Sequence, residues 1–168
     1  MKRTHLAAVL LLSASAVALT GCFNGPRATT TTQATMNTGN GVQAQQGDIR
    51  IENATLVMSK DGTQSATLLV RFVNEGLEPD ALTYATINGE TAEILVPEAA
   101  GDDATVLLPG ASVSYGWDSE LRIDAGVLDA PVSSYVPVDL GFANAGLASL
   151  SVLVVPQSGY YENVTILP

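Results

Sequence analysis

From residue 48 onward the chain keeps a hydrophobic period of two and never holds a period of 3.6. Ile49 and Ile51, then Ala54, Leu56 and Met58, alternate with polar residues, and the one-residue slip at Glu52-Asn53 predicts a bulge. Lys60-Asp61-Gly62 turns the chain into a second strand, where Ala66, Leu68, Val70 and Phe72 share a face. Asn74-Glu75-Gly76 and Glu78-Pro79-Asp80 break that strand. Leu82–Ile87 and Glu90–Val96 flank Asn88-Gly89, the strongest short hairpin signal, and Pro97 stops the return. Ala104–Leu108, with Pro109-Gly110 as its turn, is a further expected strand. Val113, Tyr115 and Trp117 alternate on the next, which predicts Tyr115 and Trp117 side by side on one face, a pair more often found in the core of a sandwich than as a ligand platform. Tyr135–Ala143 and Leu147–Val155 make a hairpin around Asn144-Ala145-Gly146, with Val136, Val138, Leu140 and Phe142 facing Ala148, Leu150, Val152 and Val154. Asn163–Leu167 is expected to add a short last strand, and Leu121–Val132, interrupted by Asp124, Gly126, Asp129 and Pro131, a long loop. Seven to nine short strands without a capped helical stripe predict an all-β fold over 48–168: an antiparallel β-sandwich with cupredoxin/Ig-like Greek-key connections.

Such a sandwich needs enough apolar surface to close. Of the 168 residues 46% are hydrophobic and 14% charged, which excludes a chain disordered throughout. A single cysteine excludes an intramolecular disulfide and a cysteine-built zinc site.

That cysteine has another use. Lys2 and Arg3 precede the uncharged, mostly apolar run Leu6–Leu19, shorter than the about 20 residues that span a bilayer. The pattern is a signal peptide over 1–21, ending in Leu19-Thr20-Gly21-Cys22, a lipobox. Cys22 is therefore expected to be the lipidated first residue of the mature protein, anchoring it to the extracytoplasmic face of the cell membrane. Residues 22–47, with Thr29–Thr32, repeated Gly, Gln and Asn and the single charge of Arg27, are expected to form a flexible tether. As a coil it would hold its ends about 25–30 Å apart. The threonine run is also a candidate for glycosylation.

What the mature sequence lacks narrows its chemistry. Its one histidine, His5, leaves with the signal, so Ser-His-Asp and Cys-His machinery and the commonest metal ligand are absent. No Gly-rich loop joins a strand to a helix, so no nucleotide site is indicated. No catalytic residue, metal ligand or cofactor is assigned. Asp102-Asp103 and the group Asp118, Glu120 and Asp124 leave two readings open, acid–base or calcium chemistry and solvated turns. All 17 acids follow residue 47 against Arg50, Lys60, Arg71 and Arg122, a formal charge of −13 for the folded part. Nucleic-acid phosphates would be repelled, and a basic protein surface would be attracted. Tyr160-Tyr161, after Ser158-Gly159, is difficult to bury and is a candidate partner contact.

Three segments, in order and spacing, resemble a family. Leu68–Gly76 followed by Asp80-Ala81-Leu82, then Leu108–Val113, then Val136–Phe142 through Leu150–Val152 resemble the periplasmic copper chaperone family PCuAC. The lipobox and Thr-rich tether resemble its actinobacterial LpqE-like lipoprotein branch. The resemblance implies a cupredoxin-like sandwich and a copper site built of histidine and methionine on two loops. At the matching places this chain reads Glu93-Ile94-Leu95 and Glu120-Leu121-Arg122-Ile123, without such ligands. The expectation is therefore a non-catalytic, membrane-anchored envelope lipoprotein, an accessory or assembly subunit of a membrane complex. The resemblance implies the respiratory cytochrome bcc–aa3 supercomplex as candidate partner. The alternative is a copper or other metal carrier for cytochrome oxidase maturation.

Overall fold

The computed structural model describes residues 41–167 apart from 102 and 118. Cys22, the tether up to residue 40, Asp102 and Asp118 lie outside the described residues. Eleven strands carry the fold: β1 Val42–Gln46, β2 Ile49–Met58, β3 Ser65–Asn74, β4 Asp80–Ile87, β5 Glu90–Thr91, β6 Glu93–Leu95, β7 Val106–Leu107, β8 Ser112–Tyr115, β9 Arg122–Val127, β10 Tyr135–Phe142 and β11 Gly146–Pro156. Their main path runs β5-β4-β10-β11-β2-β3-β9-β6, with β1 on β2, β7 on β4 and β8 on β3. This is the expected all-β sandwich, folded from one curled sheet. Every pairing is antiparallel except β11 with β2, where Val154–Pro156 run alongside Leu56–Met58 and join the two layers.

The core lies between the layers. Ile51, Leu56, Leu68 and Phe72 meet Ile87, Val138, Leu140 and Val152, all fully buried or nearly so. Phe72 makes edge contacts with Tyr115 at 5.5 Å and Phe142 at 5.2 Å between ring centres. The β10–β11 hairpin faces inward through the eight residues expected from the alternation. The bulge sits where the slip predicted it, between Glu52 and Thr55 of β2, with Asn53 at φ +56°.

A polar hub ties the turns together. The Asn74 side-chain amide donates to Glu78 O and Leu107 O, both at 2.8 Å, and its carbonyl accepts the Gly76 N–H at 2.9 Å. Its main chain bonds Ala111 O and the Gly110 N–H. Asp80, also buried, accepts the N–H groups of Ala81, Asn144 and Ala145 at 2.7–2.9 Å. The residues that carry the PCuAC resemblance thus bind three turns to one another. At Gly141 the Tyr84 ring of the neighbouring strand lies where a side chain would begin, so glycine is required there.

Five expectations need correction. Val42–Gln46 is a strand on β2, inside the stretch expected to be tether, because Val42 and Ala44 pack against the core while the glutamines between them face out. Leu121–Val132 is not a long loop: β9 fills it, pairing with β3 and β6. Asn163–Leu167 forms no strand; Val164 and Ile166 instead pack on Val57, Leu69 and Val155, a second apolar cluster on the outer face. Ala104–Leu108 shortens to the two residues of β7. Trp117 does not share the face of Tyr115. Gly116 at φ +70° and Trp117 at φ +52° break the alternation, leaving Tyr115 at 1% and Trp117 at 39% exposure.

Candidate functional site

The two segments Glu93-Ile94-Leu95 and Glu120-Leu121-Arg122-Ile123, which the sequence resemblance singled out, adjoin each other through β6 and β9. β6 pairs with β9 in the register Glu93–Asp124, Ile94–Ile123 and Leu95–Arg122. Ile123 points into the core, so its neighbour Asp124 takes the outer face, opposite Thr67 of β3. There Arg122 Nε stands 3.6 Å from Asp124 Oδ2. Asp124 is buried and Arg122 half-buried, and the pair is imperfectly satisfied: neither Asp124 oxygen nor Arg122 Nε has a hydrogen bond of normal geometry. Burial pushes the Asp124 carboxyl above its ordinary range, and Glu93 across the strands pushes the same way. The Thr67 hydroxyl and then the Arg122 charge pull in the opposite direction.

These groups do not suit a cuprous ion. A soft cation takes thioether, thiolate or imidazole, and here it would meet carboxylates and a guanidinium. Met58, the one described methionine, is 8% exposed within the core. Among the described residues no three or more His, Cys, Asp or Glu gather as a metal would need. Of the acids singled out in the sequence, Asp103 and Glu120 are exposed and Asp124 is buried in β9.

Next to this pair lies a ridge that the sequence signalled in part. Trp117, Tyr160 and Tyr161 form one aromatic cluster. The Trp117 and Tyr160 rings stack at 4.4 Å and 26°. Tyr161 stands edge-on to Trp117 at 5.9 Å and to Tyr160 at 5.2 Å. The expected Tyr160-Tyr161 patch is thus extended by Trp117, which simple strand alternation assigns to the core. The short 3-10 turn Gly159–Tyr161 brings the tyrosines there. Gln157 anchors the segment by donating from Nε2 to Val164 O at 2.6 Å and from its main chain to Met58 O at 2.9 Å. The ridge borders an open groove of about 800 Å3 that crosses the strands of the outer face. Thr55, Leu69 and Gly116 lie along its floor, with Asn53, Arg71 and Ser114 beside them. The close approach of Leu69 Cδ2 to Gly116 leaves no room for a side chain on that glycine.

The fold is similar to solved PCuAC domains. The copper-bound PCuAC domain from PmoF2 matches with a TM-score of 0.57 and 23% identity, over 68% of this chain and 97% of that one. The apo PCuAC domain from PmoF1 matches at 0.57 and 20%, over 68% and 98%. The apo PmoF2 domain matches at 0.55 and 21%, over 70% and 97%. No family model and no curated protein matches the chain. The chain therefore has a PCuAC-like fold, and at this identity the likeness speaks for the fold alone.

Proposed function

We propose that this protein is a membrane-anchored envelope lipoprotein of the LpqE-like kind, a non-catalytic accessory or assembly subunit of a membrane complex. The observation that carries the reading is the Arg122–Asp124 pair between β6 and β9. A domain that keeps a PCuAC-like scaffold, with an ion pair where the resembled family carries soft ligands, retains a stable, placed surface rather than a copper cargo site. Cys22 would carry the anchor, and tethering would raise the effective concentration of the domain to the millimolar order, so that weak contacts suffice. The formal charge of −13 favours a partner with basic extracytoplasmic patches, and the cytochrome bcc–aa3 supercomplex is the candidate.

Gentle detergent extraction of the tagged, lipidated protein followed by mass spectrometry tests this. Respiratory subunits should co-purify at low salt and fall away as ionic strength rises, and Cys22→Ala should move the protein from the membrane to the soluble fraction. Free protein at low salt, with full oxidase assembly in a deletion strain, would remove the accessory-subunit reading.

A second reading has one observation in its favour: a structural neighbour is a copper-bound domain. On that reading the protein would deliver copper using carboxylates or ligands supplied by its partner. Copper retained through purification would support it.

A further inference from the structure

We propose that the groove beside the Trp117–Tyr160 stack binds a neutral carbohydrate chain. Three features of the groove point to that chemistry.

The first is charge. Among the described residues Arg71 is the one charged residue lining the groove, and it is already engaged in part: Nη2 donates to Ser112 Oγ at 2.9 Å and Nε lies 3.8 Å from Glu52 Oε2. At the rim, Lys60 stands 3.8 Å from Glu162, next to Tyr161. An anionic ligand would meet a single arginine that is already paired in part, and would face a domain of formal charge −13.

The second is the wall. Phe72, Phe142 and Tyr115 are buried, and Tyr84 and Tyr135 stand exposed on β4 and β10, whereas Trp117, 39% exposed, and Tyr160, 77% exposed, are exposed together. The Trp117 and Tyr160 rings hold each other in place by stacking. They are therefore pre-organised, and a ligand lying against them pays little ordering entropy. A sugar ring offers such a wall its apolar C–H face while its hydroxyls point outward.

The third is the floor. Asn53, Thr55, Ser114 and Ser119 present hydroxyl and amide groups that both donate and accept hydrogen bonds. Sugar hydroxyls do the same. An acyl chain would bury the Asn53 amide and the Ser114 hydroxyl without partners, whereas Thr55 already donates to Asn53 O and Ser119 already accepts the Leu121 N–H. A polyproline segment, which also docks on aromatic grooves, offers chiefly carbonyl acceptors. The volume of about 800 Å3 falls within the range of small-ligand sites, about 300–1,000 Å3, and the groove is open along its length, as a chain of sugar rings requires.

Trp117 is the sole tryptophan of the protein, so its emission reports the groove directly. The full-length lipidated protein, held in a zwitterionic detergent without sugar head groups, is titrated with cellotriose, maltotriose and mannotriose. At least one should shift the emission saturably, with a dissociation constant in the micromolar to millimolar range. Tyr160→Ala should weaken that binding about tenfold or more. Ser114→Asp, which places a negative charge in the groove and leaves every ring intact, should do the same. Tyr135→Ala, exposed on β10, should leave it unchanged. Circular dichroism of each variant controls for folding. The proposal is overturned if no trisaccharide moves the emission, or if the shift survives both groove substitutions. It is equally overturned if a decaproline peptide saturates the signal while the sugars do not.

Discussion

Two polar clusters, one buried and one half-buried, divide the labour of this domain. Around Asn74 and Asp80 nearly every donor meets an acceptor, and three turns are tied together. Around Arg122 and Asp124 two charges share one imperfect contact, and the remaining polar atoms are left over. The first cluster contains residues that resemble PCuAC, and the second lies where, on the proposed reading, that family's ligands would sit. The difference teaches that the legible signature belongs to the scaffold. A fully satisfied hub cannot change without cost, whereas a face covered by exchangeable side chains can lose one chemistry and take another.

The largest expected effect tests the hub. Asn74→Ala leaves the buried carbonyl of Leu107 and that of Glu78 without their donor and frees the Gly76 N–H. Chemical denaturation should show a loss of about 3 kcal/mol. A loss below about 1 kcal/mol would mean that water replaces the amide and that the hub is not the keystone described.

Tyr115 gives a smaller effect of opposite sign. Its ring is packed on Phe72, but its hydroxyl is buried without a partner, and burial pushes its pKa up to about 12. Tyr115→Phe should stabilise the domain by about 1 kcal/mol at neutral pH. Between about pH 10 and 12 the unfolded phenol ionises before the folded one, so the native protein loses stability as pH rises. The phenylalanine variant should lack that part of the alkaline loss. Destabilisation by the substitution would reveal a partner for the hydroxyl.

Asp124 gives the smallest effect, read as a change with pH. Because burial raises its folded pKa, the native state holds its proton more tightly than the unfolded state does. Stability therefore falls as pH rises through the folded value, and the penalty is complete above it. Asp124→Asn removes that penalty, so the stability of the variant minus that of the native protein should be more favourable at pH 7 than at pH 4. The opposite order would show that attraction to Arg122 outweighs desolvation and that the pair is as well made as the hub.

The strands that a reader of the sequence finds are those whose two faces differ. β10 and β11 alternate cleanly, and the Asn88-Gly89 and Asn144-Ala145-Gly146 turns announce themselves. β9 is hidden because Asp124 and Gly126 resemble loop residues; one is buried between β3 and β6, and the other adopts φ +59°. β1 is hidden by its glutamines, which alternate with the residues facing the core. Of the candidate site, Tyr160-Tyr161 is visible as an apolar pair in a polar, Gly-containing context. Trp117 is not, since two successive left-handed residues, Gly116 and Trp117 itself, move it from the inner to the outer face. The Arg122–Asp124 pair is invisible in a different way: both residues are read, but only the β6–β9 register brings the pair beside Glu93.

The proposed function rests on the PCuAC-like scaffold holding an ion pair in place of a soft-metal site. Competition for copper(I) against a chromogenic cuprous chelator, using the purified lipidated protein, tests it most directly. Two scattered methionines, Met36 and Met58, do not make a ligand set, so the metal should stay with the chelator at equimolar protein, and Asp124→Asn should change nothing. Withdrawal of one equivalent of copper with submicromolar affinity would contradict the claim and return the protein to the copper carriers.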